Sequence, residues 1–477
     1  MQFSLNEIAV VLNSRWRGSD GTVSGYSIDS RSLEAGDLFF AIRGPRHDGH
    51  NFIEQVIAKG AKAAVVSNDY SPPKSDWASL LIPVPDTAKA LQQLAHAARR
   101  KWPGRVIGIT GSTGKTTTKE MIAAVLAQRF SVLKTSGNLN NHYGVPLTLL
   151  RLEPHHQVAV IEMAMSGPGE IALLASWAEP QVGVVTNVAP VHLEFFDSID
   201  SIARAKRELI EHLKAPGIAV LNHDDERVRG FSAGFQGQVV TYGFMSGADY
   251  QGLNIRPSAL DGNGNFMTEF EVQAEALAGK FTIPLPGRHN VENALAAIAT
   301  AGLFGLLKEE VRAGLRSFKA PGQRTEILQL PGGGWMINDA YNSNPYAMRK
   351  MLETLASWPG AKRRIVMAGE MLELGPSSPD WHRGIGERCV EAGIDWLLAV
   401  QGDAQFFLEG AKNAGFTPDR ARFFSDAEQA GRFYLEMAQP GDIILVKGSR
   451  GVRLEKAIAV ILNGLKVQTA QEPVKKG

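Results

Sequence analysis

The stretch GITGSTGKTTTKE, Gly108–Glu120, constrains this chain more than any other. Before it, RVIGIT reads as a buried strand by composition. After it, TTKEMIAAVLAQRF places Met121, Ile122, Val125 and Leu126 on one face of a helix. A strand, a glycine-rich turn and a helix in that order form a cradle for polyphosphate. Backbone N–H groups of such a turn point inward, and the helix N-terminus adds positive potential. The glycine spacing departs from G-x-x-x-x-G-K-[ST], which wants glycine at position 109 and meets Ile109; the chain offers Gly108, Gly111 and Gly114 instead. Lys115 is then placed to neutralise terminal phosphates, and Thr116 to offer a hydroxyl to Mg²⁺. The bland alternative is a structural turn with a solvated lysine, and the coincidence of strand, loop, Lys-Thr and helix argues against it.

The rest of the chain reads as α/β. A length of 477 residues suggests about three domains. The first part carries short strands, GDLFFAI and AKAAVVS, then a Pro-rich break through YSPPKSDW and LIPVPD, then a helix around Leu91–Arg100. From Arg105, continuous apolar strands (QVAVIEM, QVGVVTN, GIAVLN) alternate with helices, which implies a parallel sheet covered on both faces. From about Gln238 to Pro286 the pattern becomes β-rich, and the helix NVENALAAIATAGLFG follows. After KAPGQRTEI a second α/β set begins, with WMIND, RRIVMAGE, WLLAVQGD and DIILVKGS as strands. The expected domains are therefore 1–82, 83–319 and 320–477: a small α/β N-terminal unit, a central ATPase-like parallel sheet with an added β-region, and a Rossmann-like C-terminal unit.

Composition removes several function classes. Net charge is +1, with no long run of one sign, so nothing favours nucleic acid or an anionic membrane. The single cysteine, Cys389, allows no internal disulfide and fits a reducing compartment. MQFSLNEIAVVLNSRW reads as a short amphipathic helix rather than a signal, no stretch reaches membrane-spanning length, and a cytoplasmic protein is expected. An N-K-x-D guanine signature and a strand-terminal D-E pair are both absent, which disfavours a GTPase switch or a motor.

Ligands of open parallel sheets sit beyond the carboxyl ends of the strands. There VAVIEMAM ends at Glu162, and VGVVTNVAPVHLEFF passes Asn187 and reaches His192. An acid and an imidazole near a nucleotide lysine suggest metal ligands. Singly, each is more often a solvated carboxylate or a locally satisfied histidine; their joint placement at one sheet edge favours the functional reading. Lys206, in RAKRELIEHL, would by itself read as a surface lysine.

These residues resemble the Mur ligase family, ATP-dependent amide-forming enzymes of peptidoglycan precursor synthesis. That family's loop is the shortened T-G-[ST]-x-G-K-T-[ST], here Thr110, Gly111, Ser112, Thr113, Gly114, Lys115, Thr116 and Thr117. The resemblance covers nearly the whole chain. It implies ATP bound at residues 111–117 and about two Mg²⁺ held by Thr116, Glu162, His192 and a carbamylated Lys206. It implies adenine-side roles for Asn290 and Asn293 in LPGRHNVENALAA, Arg324 of APGQRTEI near the γ-phosphate, and Asp339 of INDAYNSNP beside the nucleotide. The segment SIDSRSLEAGDLFFAIRGPRHDGHNFI is similar to the family's uridine-nucleotide segment, which makes Ser30, Arg31, His47, Asp48 and His50 candidates. GPRHDGH is also what a tight loop looks like, and Arg31 could equally be a structural partner of Asp29.

Three stretches, GNLNNHYGVPLTLL, NDAYNSNP and GEMLELG, resemble the member that adds D-alanyl-D-alanine to the UDP-linked muramoyl tripeptide. Asn138, Asn141, Tyr341 and Asn344 are the substrate candidates within them. The acceptor motifs DNPR and DNCR of relatives that add the third residue are absent. One departure is Ala164 in EMAM, where many members have glycine; a single methyl does not threaten metal binding. The family default is a monomer acting on small-molecule substrates. A sister ligase with another acceptor, and a non-catalytic nucleotide sensor, are the alternatives. Polar groups at several strand ends argue against the sensor.

Overall fold

The computed structural model describes residues 1–45, 47–191, 194–258 and 266–466. Three sheets follow one another along the chain. The first is four-stranded and wholly parallel: Tyr26–Ser27, Leu38–Phe40, Ala63–Ser67 and Leu81–Val84 in that order. Its last strand lies in LIPVPD, read above as a break. Pro83 is tolerated because the strand is an edge, where a missing N–H leaves no ladder bond unmade.

The second sheet has nine strands, and Arg105–Thr110 lies between Val158–Glu162 and Val182–Val185. Beyond Val158–Glu162 lies only Val132–Lys134; on the other side come Ile218–Asn222 and Gln238–Gly243, all parallel. The chain leaves the central strand toward one edge and later returns to build the other. The carboxyl end of Arg105–Thr110 is therefore a topological switch point, where such sheets open a crevice. The β-rich segment extends this same sheet through Tyr250–Ser258, Met267–Gln273 and Gly279–Ile283, the last two antiparallel.

Both faces of the central strands are buried, which explains their unbroken apolar reading. Ile107, Ile109 and Val160 pack against Met121, Ile122 and Val125 of the helix Lys115–Leu126 and against the Ala-rich helix Arg288–Leu303. On the other face, Ile161 and Met163 share a core with Leu91, Leu94 and Ala98 of the helix Thr87–Lys101. That helix starts a turn earlier than the apolar pattern suggests, because Asp86 caps it by accepting from the N–H groups of Ala88 and Lys89. The same core takes in Leu38, Phe40, Val65 and Ile82 of the first sheet, so one helix joins two sheets. We propose to place the first domain junction after this helix rather than at 82, which falls inside a strand.

The third sheet is six-stranded. Asp442–Lys447, Arg363–Gly369, Trp396–Val400 and Ala421–Phe424 run parallel, with Gly334–Asp339 parallel at one side and Glu326–Leu330 antiparallel outside it. No described helix is long and apolar enough to cross a membrane.

Arg99 is the buried polar group that locks the first junction. Only 4% exposed, it donates to the carbonyls of Ala178 (2.7 Å), Trp102 (3.0 Å) and Glu179 (3.2 Å), capping the end of the helix Glu170–Ala178. Arg99→Ala leaves these acceptors without their charged donor and is expected to lose about 2–4 kcal/mol of stability. Urea unfolding checks this; a loss below about 0.5 kcal/mol, the size of an ordinary surface change, would show the guanidinium is not what holds the junction.

Candidate active site

The loop between Arg105–Thr110 and Lys115–Leu126 is shaped by what surrounds it. Gly111 and Gly114 have φ of 147° and 81°. A Cβ on Gly111 would sit 1.9 Å from Thr186 Oγ1, and one on Gly114 would sit 2.5 Å from Asn293 Oδ1. Only glycine fits either place. The neighbouring strand end then laces the loop down. Thr186 donates its hydroxyl to Thr113 O at 2.6 Å, and Asn187 Oδ1 accepts from the Thr113 N–H at 2.9 Å. Asn187 O accepts from the Ser112 N–H at 2.9 Å, and Ser112 Oγ donates to Ala189 O at 3.0 Å. Lys115 folds back to donate to Gly111 O (2.7 Å) and Ser112 O (3.3 Å). Burial draws its ammonium below the ordinary range, with Glu162 pulling the other way and Arg324 adding to the drop.

Glu162, 1% exposed, faces this loop from the adjoining strand end. Its Oε1 accepts from Thr116 Oγ1 at 3.1 Å and from Asn140 Nδ2 at 2.8 Å. Its Oε2 is buried with no hydrogen-bond partner. A buried carboxylate oxygen left over beside a threonine hydroxyl fits a hard divalent cation, which takes one or two protein oxygens and fills its shell with phosphate and water. The described residues contain no group of three or more His, Cys, Asp or Glu that could hold a metal by themselves. A cation here would therefore depend on the nucleotide.

A cavity of about 560 Å³ opens from the loop toward the third sheet. Residues Ser112–Thr117, Glu162, Asn290 and Asn293 line one side, and Arg324, Asp339, Tyr341 and Asn344 the other. Asn293 is braced by Thr118 Oγ1 (3.2 Å) and Asn290 by Pro286 O (2.8 Å). Arg324 lies over the Tyr341 ring, 4.0 Å from its centroid. Asp339 accepts from the Thr325 N–H at 2.9 Å and pairs with the buried Lys447 at 2.5 Å. Burial works to raise its pKa, but Lys447 wins and holds it below the ordinary carboxylate value.

The other candidates divide. Asn138 lines the cavity. Asn141 and Asn344 also line it, yet Asn141 accepts from the Tyr143 and Gly144 N–H groups and Asn344 caps the helix Pro345–Ala356. Lys206 is 2% exposed on the helix Ile199–Glu211 and makes no ion pair or hydrogen bond among the described residues. Burial, and then the charge of Lys115, hold its ammonium well below the ordinary range. His192 lies outside the described residues.

None of the N-terminal candidates lines this cavity. Arg31 is exposed and bound by its own Asp29 at 2.7 Å, and Ser30 is buried, its carbonyl accepting from Lys59. His50 has both nitrogens engaged, Nδ1 with Asp48 Oδ1 at 2.6 Å and Nε2 accepting from the Ser67 N–H at 2.9 Å. Here the turn-chemistry reading describes Asp48 and His50 well. His47 is exposed, its carbonyl accepting from the Gly44 N–H.

Sequence reasoning missed Asn140, Lys119, Lys447, His289 and Glu292, all close to this centre. A lysine four positions past Lys115, on the apolar side of an amphipathic helix, was the one available hint.

Known proteins resemble this chain over most of its length. Three family models match the chain: Mur ligase family, catalytic domain, over 22–99; Mur ligase middle domain over 109–301; and Mur ligase, glutamate ligase domain, over 323–450. A Bacillus subtilis UDP-N-acetylmuramoyl-tripeptide--D-alanyl-D-alanine ligase is 37% identical over 91% of this chain and 92% of its own length. The crystal structure of a MurF from Acinetobacter baumannii superposes with a TM-score of 0.86 at 30% identity, covering 97% of this chain and 99% of that one. A Thermotoga maritima MurF ligase solved with ADP gives a TM-score of 0.80 at 29% identity, covering 93% and 98%.

Glu292 supplies a pH test of the cavity wall. Burial pushes its carboxyl up to about 7, with Asn222 opposing and Asp224 adding to the rise. A folded-state pKa above the unfolded value means its contribution is full below the unfolded pKa of 4.5 and is lost as pH rises through about 7. Glu292→Gln should therefore gain stability relative to the parent chain between pH 5 and pH 8. A difference that stays flat over that interval, in thermal unfolding of both, would contradict the buried carboxyl.

Proposed function

This chain belongs to the Mur ligase family, and we propose that within it the chain joins D-alanyl-D-alanine to UDP-N-acetylmuramoyl-tripeptide with cleavage of ATP to ADP and phosphate. The observation that carries the reading is the single cavity in which the phosphate loop, Glu162 and Arg324 converge. The acceptor follows from relatives of that name that match over nearly the full chain.

A carboxylate is a poor electrophile at neutral pH. The γ-phosphoryl group of ATP passes to the terminal carboxylate of the tripeptide, giving an acyl phosphate. The amine of the dipeptide then attacks, and phosphate leaves. There is little covalent work for the protein, so positioning and charge compensation dominate. The amides of Ser112–Thr117 receive the phosphates. Lys115 releases the Gly111 and Ser112 carbonyls to bind them. Arg324 meets the γ-phosphoryl from the opposite wall, while Asn290 and Asn293 take the adenine side. Thr116 and Glu162 would hold Mg²⁺, which draws charge from the transferring group. Closure of the third sheet over the cavity keeps water from the acyl phosphate.

Lys206 fits carbamylation. Deep burial disfavours the Lys206 ammonium, which favours reaction through the amine. Its amine nitrogen would add to CO₂ and shed a proton, giving an anionic carbamate that would serve as a ligand for a second Mg²⁺.

The reaction is tested by phosphate release from ATP with purified protein, Mg²⁺ and the UDP-linked tripeptide, with and without D-alanyl-D-alanine. Release that needs both, with a product heavier by the dipeptide, is expected. Release stimulated instead by a single amino acid on a shorter precursor would move the chain to a sister activity. Lys115→Ala should lower ligation at least about 10³-fold with a native circular dichroism spectrum, and near-normal turnover would sink the phosphate-loop assignment. Lys206→Ala should lose activity that added short carboxylates partly restore; full activity without additive would count against the carbamate.

A further inference from the structure

Lys119 is fully buried, yet no step above uses it. It lies one turn beyond Lys115 on the loop helix, pointing the opposite way from solvent. Its ammonium donates to Thr135 O at 2.8 Å, pairs with Glu120 Oε1 at 2.9 Å and stands 3.8 Å from Glu162 Oε2. That last atom is the one left without a hydrogen bond. Glu120 is in turn paired with the half-exposed Lys134. Four alternating charges thus run from the surface to the cavity: Lys134, Glu120, Lys119 and Glu162. Thr135 Oγ1 also accepts from the Glu162 N–H at 3.0 Å, so one residue fixes both Lys119 and the Glu162 backbone.

We propose that Lys119 is a positioning residue for the divalent cation, acting through Glu162. The Oε1 atom is anchored by Thr116 and Asn140. Lys119 balances the charge on Oε2 from behind, close enough to hold the carboxylate's orientation and too far to occupy the atom itself. The carboxyl group is therefore held in one orientation, with Oε2 left without a hydrogen bond. Buried cations unconnected with a site are costly to keep, and a neutral side chain of this length would fill the same space. Partners in the outer shell of a metal site commonly change metal affinity by about 10–100-fold when removed. This inference rests on Glu162 being a cation ligand.

The test is Mn²⁺ binding in the presence of ADP, read from the free-ion signal in electron paramagnetic resonance, for Lys119→Met, Glu162→Gln and the double variant. Lys119→Met is expected to weaken Mn²⁺ binding about 10-fold or more in the parent chain and to change little once Glu162 is Gln. Glu120→Gln, which loosens Lys119 from its surface side without emptying the buried position, should weaken binding several-fold with the same dependence on Glu162. Equal effects of Lys119→Met with and without Glu162 would mark a merely structural lysine and overturn the inference. Should Lys119→Met not fold, unchanged Mn²⁺ binding in Glu120→Gln would overturn it. Unchanged binding in Glu162→Gln itself would overturn the ligand assignment and the inference together.

Discussion

The clamp that Thr186 and Asn187 place on the loop at Ser112–Thr113 is the constraint from which the rest of the site follows. A phosphate cradle works only if its amides already converge, because each would otherwise have to be ordered at the moment of binding. Here the ordering is built into the fold. The clamp comes from the strand hydrogen-bonded beside the loop strand, and the approach is so close that Gly111 admits no side chain. Gly114 is pressed in the same way by Asn293, which brings the helix Arg288–Leu303 onto the loop. Two glycines thus set the distance between three elements.

Charge is compensated across the cavity rather than within any one element. Lys115 and Lys119 come from the loop helix, Glu162 from the next strand, and Arg324 and Asp339 from the far wall. Arg324 is flanked by Gln323 and Thr325, both in the left-handed region at φ 62° and 52°. A β-branched residue there costs on the order of 1–2 kcal/mol, and the Asp339 acceptor on the Thr325 N–H offsets part of it. The segment is held in a bent form that presents Arg324 to the cavity, with the Tyr341 ring as its platform.

What could be read from the residues was local. The strand, loop and helix around Gly108–Glu120 were plain because apolar period, glycine placement and Lys-Thr agree. Edge strands such as Leu81–Val84 and Ala421–Phe424 were not, because a short, half-exposed or proline-bearing segment carries little periodicity. Lys119 and Lys447 escaped for another reason: a lysine's burial depends on partners 43 and 108 positions away, and no local pattern encodes that. His50 shows the converse. Its sequence setting leaves a substrate contact and turn chemistry both open, and the structure adds that its two nitrogens are engaged by Asp48 and Ser67. Family resemblance supplied what spacing could not, above all the interest of Lys206.

The central claim is that phosphate loop, Glu162 and Arg324 meet so that a phosphoryl group can pass to a substrate carboxylate. It is tested most directly by labelling both oxygens of the tripeptide's terminal carboxylate with ¹⁸O and analysing the phosphate released during ligation by mass spectrometry. Transfer through an acyl phosphate moves one carboxylate oxygen into each phosphate, so the account predicts one ¹⁸O per phosphate formed. Phosphate without label, at a normal rate of ligation, would mean that water and not the carboxylate receives the phosphoryl group, and would contradict the account.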